Sequence, residues 1–243
     1  MSVKKDIVIL ANSIKQGGRC LAGRFVERNS EGRWMIGDWC RPVMPDENGH
    51  DSIPDTACAH FNPLDVVSIV LERRAPVPGQ PENWLWDHFS AITHLRSFNS
   101  SNDAPRALEA ITEFPSDIWI DSSAARPDEF AAHLPIVNSL NCVRVQGLWL
   151  NLTLDDNGRK RIHAEFTYGG HLYEKMAVTD PLMFRILARQ FPEPGLTRRM
   201  QLRNGDSYNL TVSIGMPFGP RHVRYKFVAA IIDQSGYIQR EYR

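Results

Sequence analysis

A chain of 243 residues allows one large domain or two small ones, and its apolar share of 42% and charged share of 23% are ordinary for a folded protein. Lys plus Arg equals Asp plus Glu at 28 each, which excludes a global field that would drive the chain onto nucleic acid or membrane. The balance is uneven along the chain, however: acids predominate over residues 46–65 and 103–129, while basic residues outnumber acids from Arg198 onward.

The first 43 residues read as three strands. Ile7 to Ala11 is an apolar run, Cys20 to Val26 a second strand and Arg33 to Cys40 a third, with a turn over Asn29 to Gly32. Short strands between glycine-containing turns predict a small barrel or sandwich. The loop Asn12 to Arg19 holds adjacent glycines and two cations, which suits either an anion-binding turn or a plain surface turn. Met44 to Pro63 reads as a long polar loop, a candidate functional flap. Leu64 to Glu72 returns to a strand that is apolar on both faces.

Asn83 to Leu95 carries Trp84, Leu85, His88, Phe89, Ile92 and Leu95 at helical spacing and predicts a helix capped by Asn83. A second helix is expected from Ala104 or Pro105, with Leu108, Ile111 and Phe114 as its buried stripe. Trp119 and Ile120 suggest a short strand, and Pro127 to Phe130 a helix start. Residues 79–139 therefore read as a helical linker.

From Leu140 the pattern is again β. A long strand with apolar residues on both faces meets the turn Asp155-Asp156-Asn157-Gly158, and Arg161 to Tyr168 alternates as its partner. Gly169-Gly170 forms another turn, and Asp180-Pro181 caps a helix through Leu182, Phe184, Ile186 and Leu187. Two last strands run through Tyr208 to Ile214 and Val223 to Ile232. Five strands with a helix inside the series match the oligonucleotide/oligosaccharide-binding (OB) barrel.

The fold class expected is mainly β with a helical insert (α+β): two OB-like units, 1–78 and 140–243, joined by the helical segment. Single-stranded nucleic-acid grooves combine cations with stacking rings. That points to Lys15, Arg19, Arg24 and Arg41 beside Trp39 in the first unit, and to Arg221, Arg224 and Lys226 in the second, extended by Arg198, Arg199 and Arg203. Trp34 and Trp39 lie five positions apart, so a regular strand points them to opposite faces unless a bulge near Gly37 resets the phase. Each of these groups also has a bland reading, as core aromatics or a solvated strand face.

No paired-carboxylate signature appears. The spacings of Cys20, Cys40, Cys58 and His60 match no standard zinc pattern. Cys20 after Arg19 reads as an activated thiol or, more simply, as a small buried hydrophobe. No catalytic residue, metal or cofactor is assigned. Four scattered cysteines and no apolar run near the ~20 residues of a membrane helix suggest a cytoplasmic protein without a membrane partner.

Four phrases together resemble the bacterial "dual OB domain-containing" family. They are Leu10-Ala11-Asn12-Ser13 with Gly18-Arg19-Cys20-Leu21-Ala22-Gly23; Trp39-Cys40-Arg41-Pro42-Val43; Gln80-Pro81-Glu82-Asn83-Trp84; and Leu210 to Gly215 with Tyr225 to Ile232. The resemblance covers nearly the whole chain. It implies an accessory component of prokaryotic defence or conflict loci, with nucleic-acid binding inferred from the fold and no catalytic set. The expected function is thus a non-enzymatic module recognising single-stranded or structured nucleic acid. An adaptor for protein partners encoded nearby is the alternative, and a hydrolase or transferase using Cys20 or a histidine a third.

Overall fold

The computed structural model describes residues 2–15, 18–44, 52–124, 126–202 and 207–241. The first unit contains β1 (Val3–Lys15), β2 (Gly18–Arg28), β3 (Trp34–Val43), a short helix α1 (Asp55–Cys58), β4 (Asp65–Arg74), β5 (Asn83–Trp86) and β6 (Thr93–Ser97). Its strands run in the order β1-β2-β3-β5-β4, and β4 pairs back onto β1, so five strands close a barrel with β6 outside on β4. The helix α2 (Asp103–Ile111) and the three-residue strand β7 (Glu129–Ala131) follow.

The second unit contains β8 (Leu140–Leu154), β9 (Lys160–Tyr168), β10 (His171–Val178), α3 (Pro181–Ile186), β11 (Thr197–Gln201), β12 (Ser207–Ile214) and β13 (Val223–Asp233), and α4 (Tyr237–Glu241) ends the described chain. Its barrel strands run β10-β9-β8-β12-β13, closed by a parallel pairing of β13 with β10. Counted within each barrel, the third strand pairs parallel with the fifth in both, through β3–β5 and β10–β13. The two units therefore share one closed five-stranded topology, the OB arrangement.

Strand β1 shows why the sequence is apolar on consecutive positions. Side chains alternate across a strand, so Ile7 and Ile9 fill the first barrel while Val8 and Leu10 face the neighbouring barrel. The second barrel answers in kind: Val228 and Ile231 of β13 fill its interior, and Ala229, Ala230 and Ile232 join the shared core with Leu140, Cys142 and the α2 residues Leu108 and Ile111. Small alanines on β13 let the barrels approach closely. At the same seam Thr211 donates to the carbonyl of Leu10 at 2.7 Å, and Ile14 N–H to that of Thr179 at 3.0 Å. In β2, a Cβ on Gly23 would sit 2.1 Å from the Val8 carbonyl oxygen, so only glycine fits there.

Several local expectations hold. Asp180 caps α3 by accepting from Leu182 N–H at 2.9 Å, with Pro181 in the first turn. The Asp155 to Gly158 turn closes through Gly158 N–H to the Asp155 carbonyl at 2.9 Å. The bulge between β2 and β3 falls at Gly37: Arg24 opposes Trp39 and Val26 opposes Ile36, so three steps on β3 face two on β2. Trp34 and Trp39 consequently both face the shared core despite their odd spacing.

The helical linker is corrected. Residues 83–95 form β5, a turn and part of β6, and β5 is the strand that closes the first barrel, so that barrel extends beyond residue 78. The crowded apolar residues there fit either period, and pairing with β3 and β4 decides the matter. Phe89 is 89% exposed in the turn, where Asp87 accepts from Phe89 N–H and the Ser90 hydroxyl. Of the span 79–139 only α2 is helical among the described residues, and Phe114 lies beyond its end, 77% exposed. Trp119 and Ile120 form no strand, and Glu129 to Ala131 pair with β13 rather than opening a helix. Part of the long loop, 45–51, lies outside the described residues; its return is pinned where Ile53 pairs with Arg19. No helix of the described residues is long and apolar enough to cross a membrane.

Candidate functional site

Most of the cations singled out in the sequence are structural. Arg41 is 3% exposed and its Nη2 donates to Ser139 Oγ at 2.9 Å and meets Glu82 at 3.1 Å; the Ser139 hydroxyl also bonds Glu82. That buried triad bridges the barrels. Arg224, 5% exposed, donates to the carbonyls of Gly215 in its own barrel and Pro78 in the other. A Cβ on Gly79, whose φ is +82°, would lie 2.8 Å from the Arg224 guanidinium nitrogens.

Trp39 is 6% exposed, with its indole N–H on Glu113. Glu113 also lies 3.7 Å from Arg24 and accepts Cys142 N–H at 2.9 Å. Arg24 donates in addition to the Gly37 carbonyl at 2.7 Å. In the second barrel Lys226 is buried and donates to the Pro127 carbonyl at 3.0 Å, and burial brings its pKa down to about 8. Arg221 forms a bidentate pair with Glu129. These two residues fasten the 127–131 segment onto β13. Arg19 pairs with Asp55 at 2.7 Å, and Lys15 opposes Gly18 at the end of the β1–β2 ladder. The structure thus brings Arg24 and Trp39 together around Glu113, and leaves the remaining candidates in separate contacts. Arg203 lies outside the described residues.

The residues that do combine cation and accessible ring are different ones. Across the β2–β3 ladder, Arg28 opposes Trp34, and its guanidinium carbon sits 4.5 Å from the ring centroid. Arg96 of β6 approaches the same ring at 5.7 Å and Phe98 at 4.8 Å. In the second barrel Arg199 of β11 lies 3.9 Å from the centroid of Trp149 on β8, then pairs with Glu165 of β9 at 2.6 Å. Both tryptophans are half-buried. Around Trp149 the outer face of β11-β8-β9 carries Asn151, Arg161 and His163. Burial and the neighbouring Arg161 hold His163 below the usual imidazole range, so at neutral pH it is uncharged.

Sequence reading missed the first stack although its signal was present: a turn over 29–32 sets Arg28 opposite Trp34. The second depends on β11 pairing with β8 across 47 intervening positions, to which no local pattern points.

Cys40, Cys58 and Cys142 are buried, while Cys20 is half-buried. Burial pushes the thiols of Cys58 and Cys142 up to about 12 and that of Cys40 higher still, so they stay protonated. Among the described residues no three His, Cys, Asp or Glu side chains gather where a metal ion could be held. Ser97, His94 and Asp65 do meet: His94 Nε2 lies 3.1 Å from Ser97 Oγ and 3.5 Å from Asp65, which accepts the Ser97 hydroxyl. A nucleophilic triad uses the two ring nitrogens for different partners. Here one nitrogen faces both, and the contacts lock β6 against β4, where Asp65 and Ser97 are register partners.

Searches against curated proteins and against solved structures return no match. The family model of the dual OB-containing domain matches residues 5–231. Both barrels lie within that span almost entire, and the chain belongs to the dual OB-containing domain family.

Proposed function

We propose that this protein is a non-enzymatic binding module for single-stranded nucleic acid, and that each barrel contributes one arginine-layered tryptophan. The observation that carries the reading is a pair of partly buried rings layered by arginine: Trp34, at the rim of the shared core, under Arg28 and Arg96, and Trp149, on the wall of the second barrel, under Arg199. Base–aromatic stacking contributes about 1–3 kcal/mol per base, and arginine planes add cation–π attraction while reaching phosphate. Trp149 lies on the wall that the first two strands of its barrel share, and Trp34 opens the third strand of its own. The strand 2–3 face is where OB barrels take oligonucleotides, which favours Trp34, opposite Arg28 of the second strand; Trp149 stands on the adjoining strand 1–2 wall. An accessory role in prokaryotic defence, implied by the resemblance noted above, belongs to the same reading; the identity of flanking genes tests it.

Titration of tryptophan fluorescence with a single-stranded oligonucleotide at two salt concentrations tests the binding. The expected result is quenching whose affinity falls as salt rises, because bound phosphates release counterions. Absence of binding at low salt removes the proposal. A protein adaptor is the second reading, favoured by Phe89, which stands exposed beside a cleft of about 640 Å³ lined by Met44, Trp86 and Ile92. Co-purification of one defined protein without nucleic acid, abolished by Phe89→Asp, distinguishes it.

A further inference from the structure

A second cleft, of about 210 Å³, opens where the end of β1 meets the start of α3. A water molecule occupies about 30 Å³ in the liquid, so the space is large enough for one small organic molecule. Its wall joins polar surface from Asn12 and Arg19 to apolar surface from Phe61, Pro63 and Leu182.

Two buried polar atoms in that wall are unmatched. Asn12 is 4% exposed; its amide nitrogen donates to the carbonyls of Cys58 at 2.7 Å and Phe61 at 2.8 Å, and its Oδ1 has no partner. Arg19 spends Nε on Asp55 at 2.7 Å, while its Nη1 is buried with no partner. The β1–β2 ladder pairs Asn12 with Leu21 and Ile14 with Arg19, so Asn12 and Arg19 are diagonal neighbours on one face, about 7–8 Å apart at Cα. Both turn toward the segment around α1, Asn12 to Cys58 and Phe61 and Arg19 to Asp55. One acceptor and one donor are thus left over side by side, and a ligand that matches both removes two desolvation penalties. The charges at and beside the wall oppose one another: Arg19 meets Asp55, and Arg185 lies close enough to Asp180 to favour its carboxylate. With those charges matched, the wall selects an uncharged ligand.

We propose that this cleft binds the edge of an uncharged amide, whose carbonyl accepts from Arg19 Nη1 and whose N–H donates to Asn12 Oδ1. Such an edge presents acceptor and donor side by side in one plane, in ring lactams such as uracil and in primary amides such as nicotinamide. The ring beyond the edge lies against the apolar part of the wall. A carboxylate or a ketone has the acceptor without the donor, so it matches Arg19 alone. The site uses none of the residues around Trp34 and Trp149, so loss of single-strand binding leaves it standing.

Isothermal titration calorimetry of the full chain with uracil and nicotinamide tests the assignment, each beside an analogue that keeps the carbonyl and lacks the N–H. Fully N-methylated uracil serves for the first and the methyl ketone acetylpyridine, of the same shape as nicotinamide, for the second. At least one parent compound is expected to bind at millimolar concentration or below, with its analogue weaker by about tenfold or more. Binding of uracil alone identifies a ring lactam as the ligand, of nicotinamide alone a primary amide, and of both the shared edge. Arg19→Lys keeps the charge facing Asp55 and removes Nη1, and is expected to weaken the parent by about tenfold or more. Ala59→Trp, at an exposed position in the wall, is expected to do the same by filling the cleft, and suffices if Arg19→Lys fails to fold. No heat with either parent, analogues that bind as tightly, or unchanged affinity in Ala59→Trp each overturns the proposal.

Discussion

The two barrels repeat one strand order, yet they spend the same loop differently. In the first, the segment between its fourth and fifth strands, residues 75–82, lies against the second barrel, held by Arg224 on Pro78 and by Glu82 on Arg41 and Ser139. In the second, the equivalent segment, 215–222, leaves Phe218 72% exposed and Met216 42% exposed. One copy has become mortar between the barrels and the other remains at the surface. The difference teaches that a repeated fold does not place repeated sites: cations beside the first loop are buried struts, and ligand-facing groups must be sought on each barrel separately.

That contrast can be broken most sharply at the seam. Arg41→Ala leaves Glu82 buried without its countercharge, and breaking such a pair costs about 3–5 kcal/mol. Urea unfolding should show that loss in a single transition, because the shared core couples the barrels; two separated transitions would instead show independent units. Leu108→Ala, in α2 at the same seam, should cost about 2–5 kcal/mol by leaving a cavity.

A gentler test uses the buried carboxyl where α3 starts. Burial raises Asp180 from its ordinary 3.8 to about 6, so its proton is held more tightly in the folded state than in the unfolded chain. Its contribution to stability is therefore fully present below about 4 and lost as pH rises through about 6, on the order of 3 kcal/mol. Denaturation midpoints measured across that window should fall with rising pH by more in the wild type than in Asp180→Asn. Lys226 behaves in the opposite sense. Its folded pKa is depressed to about 8, so stability gains as pH rises from about 8 toward 10, and Lys226→Met should remove that slope.

The outer faces should give the smallest stability effects and the clearest binding effects. Trp149→Ala is expected to cost single-strand affinity about 1–3 kcal/mol. Arg199→Ala should cost less, about 0.5–1 kcal/mol from the lost cation–π contact plus a reduced salt dependence. Oligonucleotide titrations of the two variants check both, and an unchanged affinity for Trp149→Ala would remove that face from the interface.

What the sequence by itself determined was nine of the strands, β1 to β4, β8 to β10, β12 and β13, and the turns that punctuate them. Consecutive apolar residues in Ile7 to Leu10 require two covered faces, the Asp155 to Gly158 turn sets the β8–β9 hairpin, and Asp180-Pro181 starts a helix, because each depends on neighbours within a few positions. A regular strand would have set Trp34 and Trp39 on opposite faces; the bulge at Gly37, foreseen only as the exception, turns both toward one core. Only the tertiary structure decided which charges are free. Arg41, Arg224 and Lys226 look like surface cations in any local window, and they are consumed by Glu82, Pro78 and Pro127, 41, 146 and 99 positions away. Residues 83–95 became strands for a related reason: an apolar cluster fits both periods, and closing the barrel supplied backbone partners that an isolated helix there could not match.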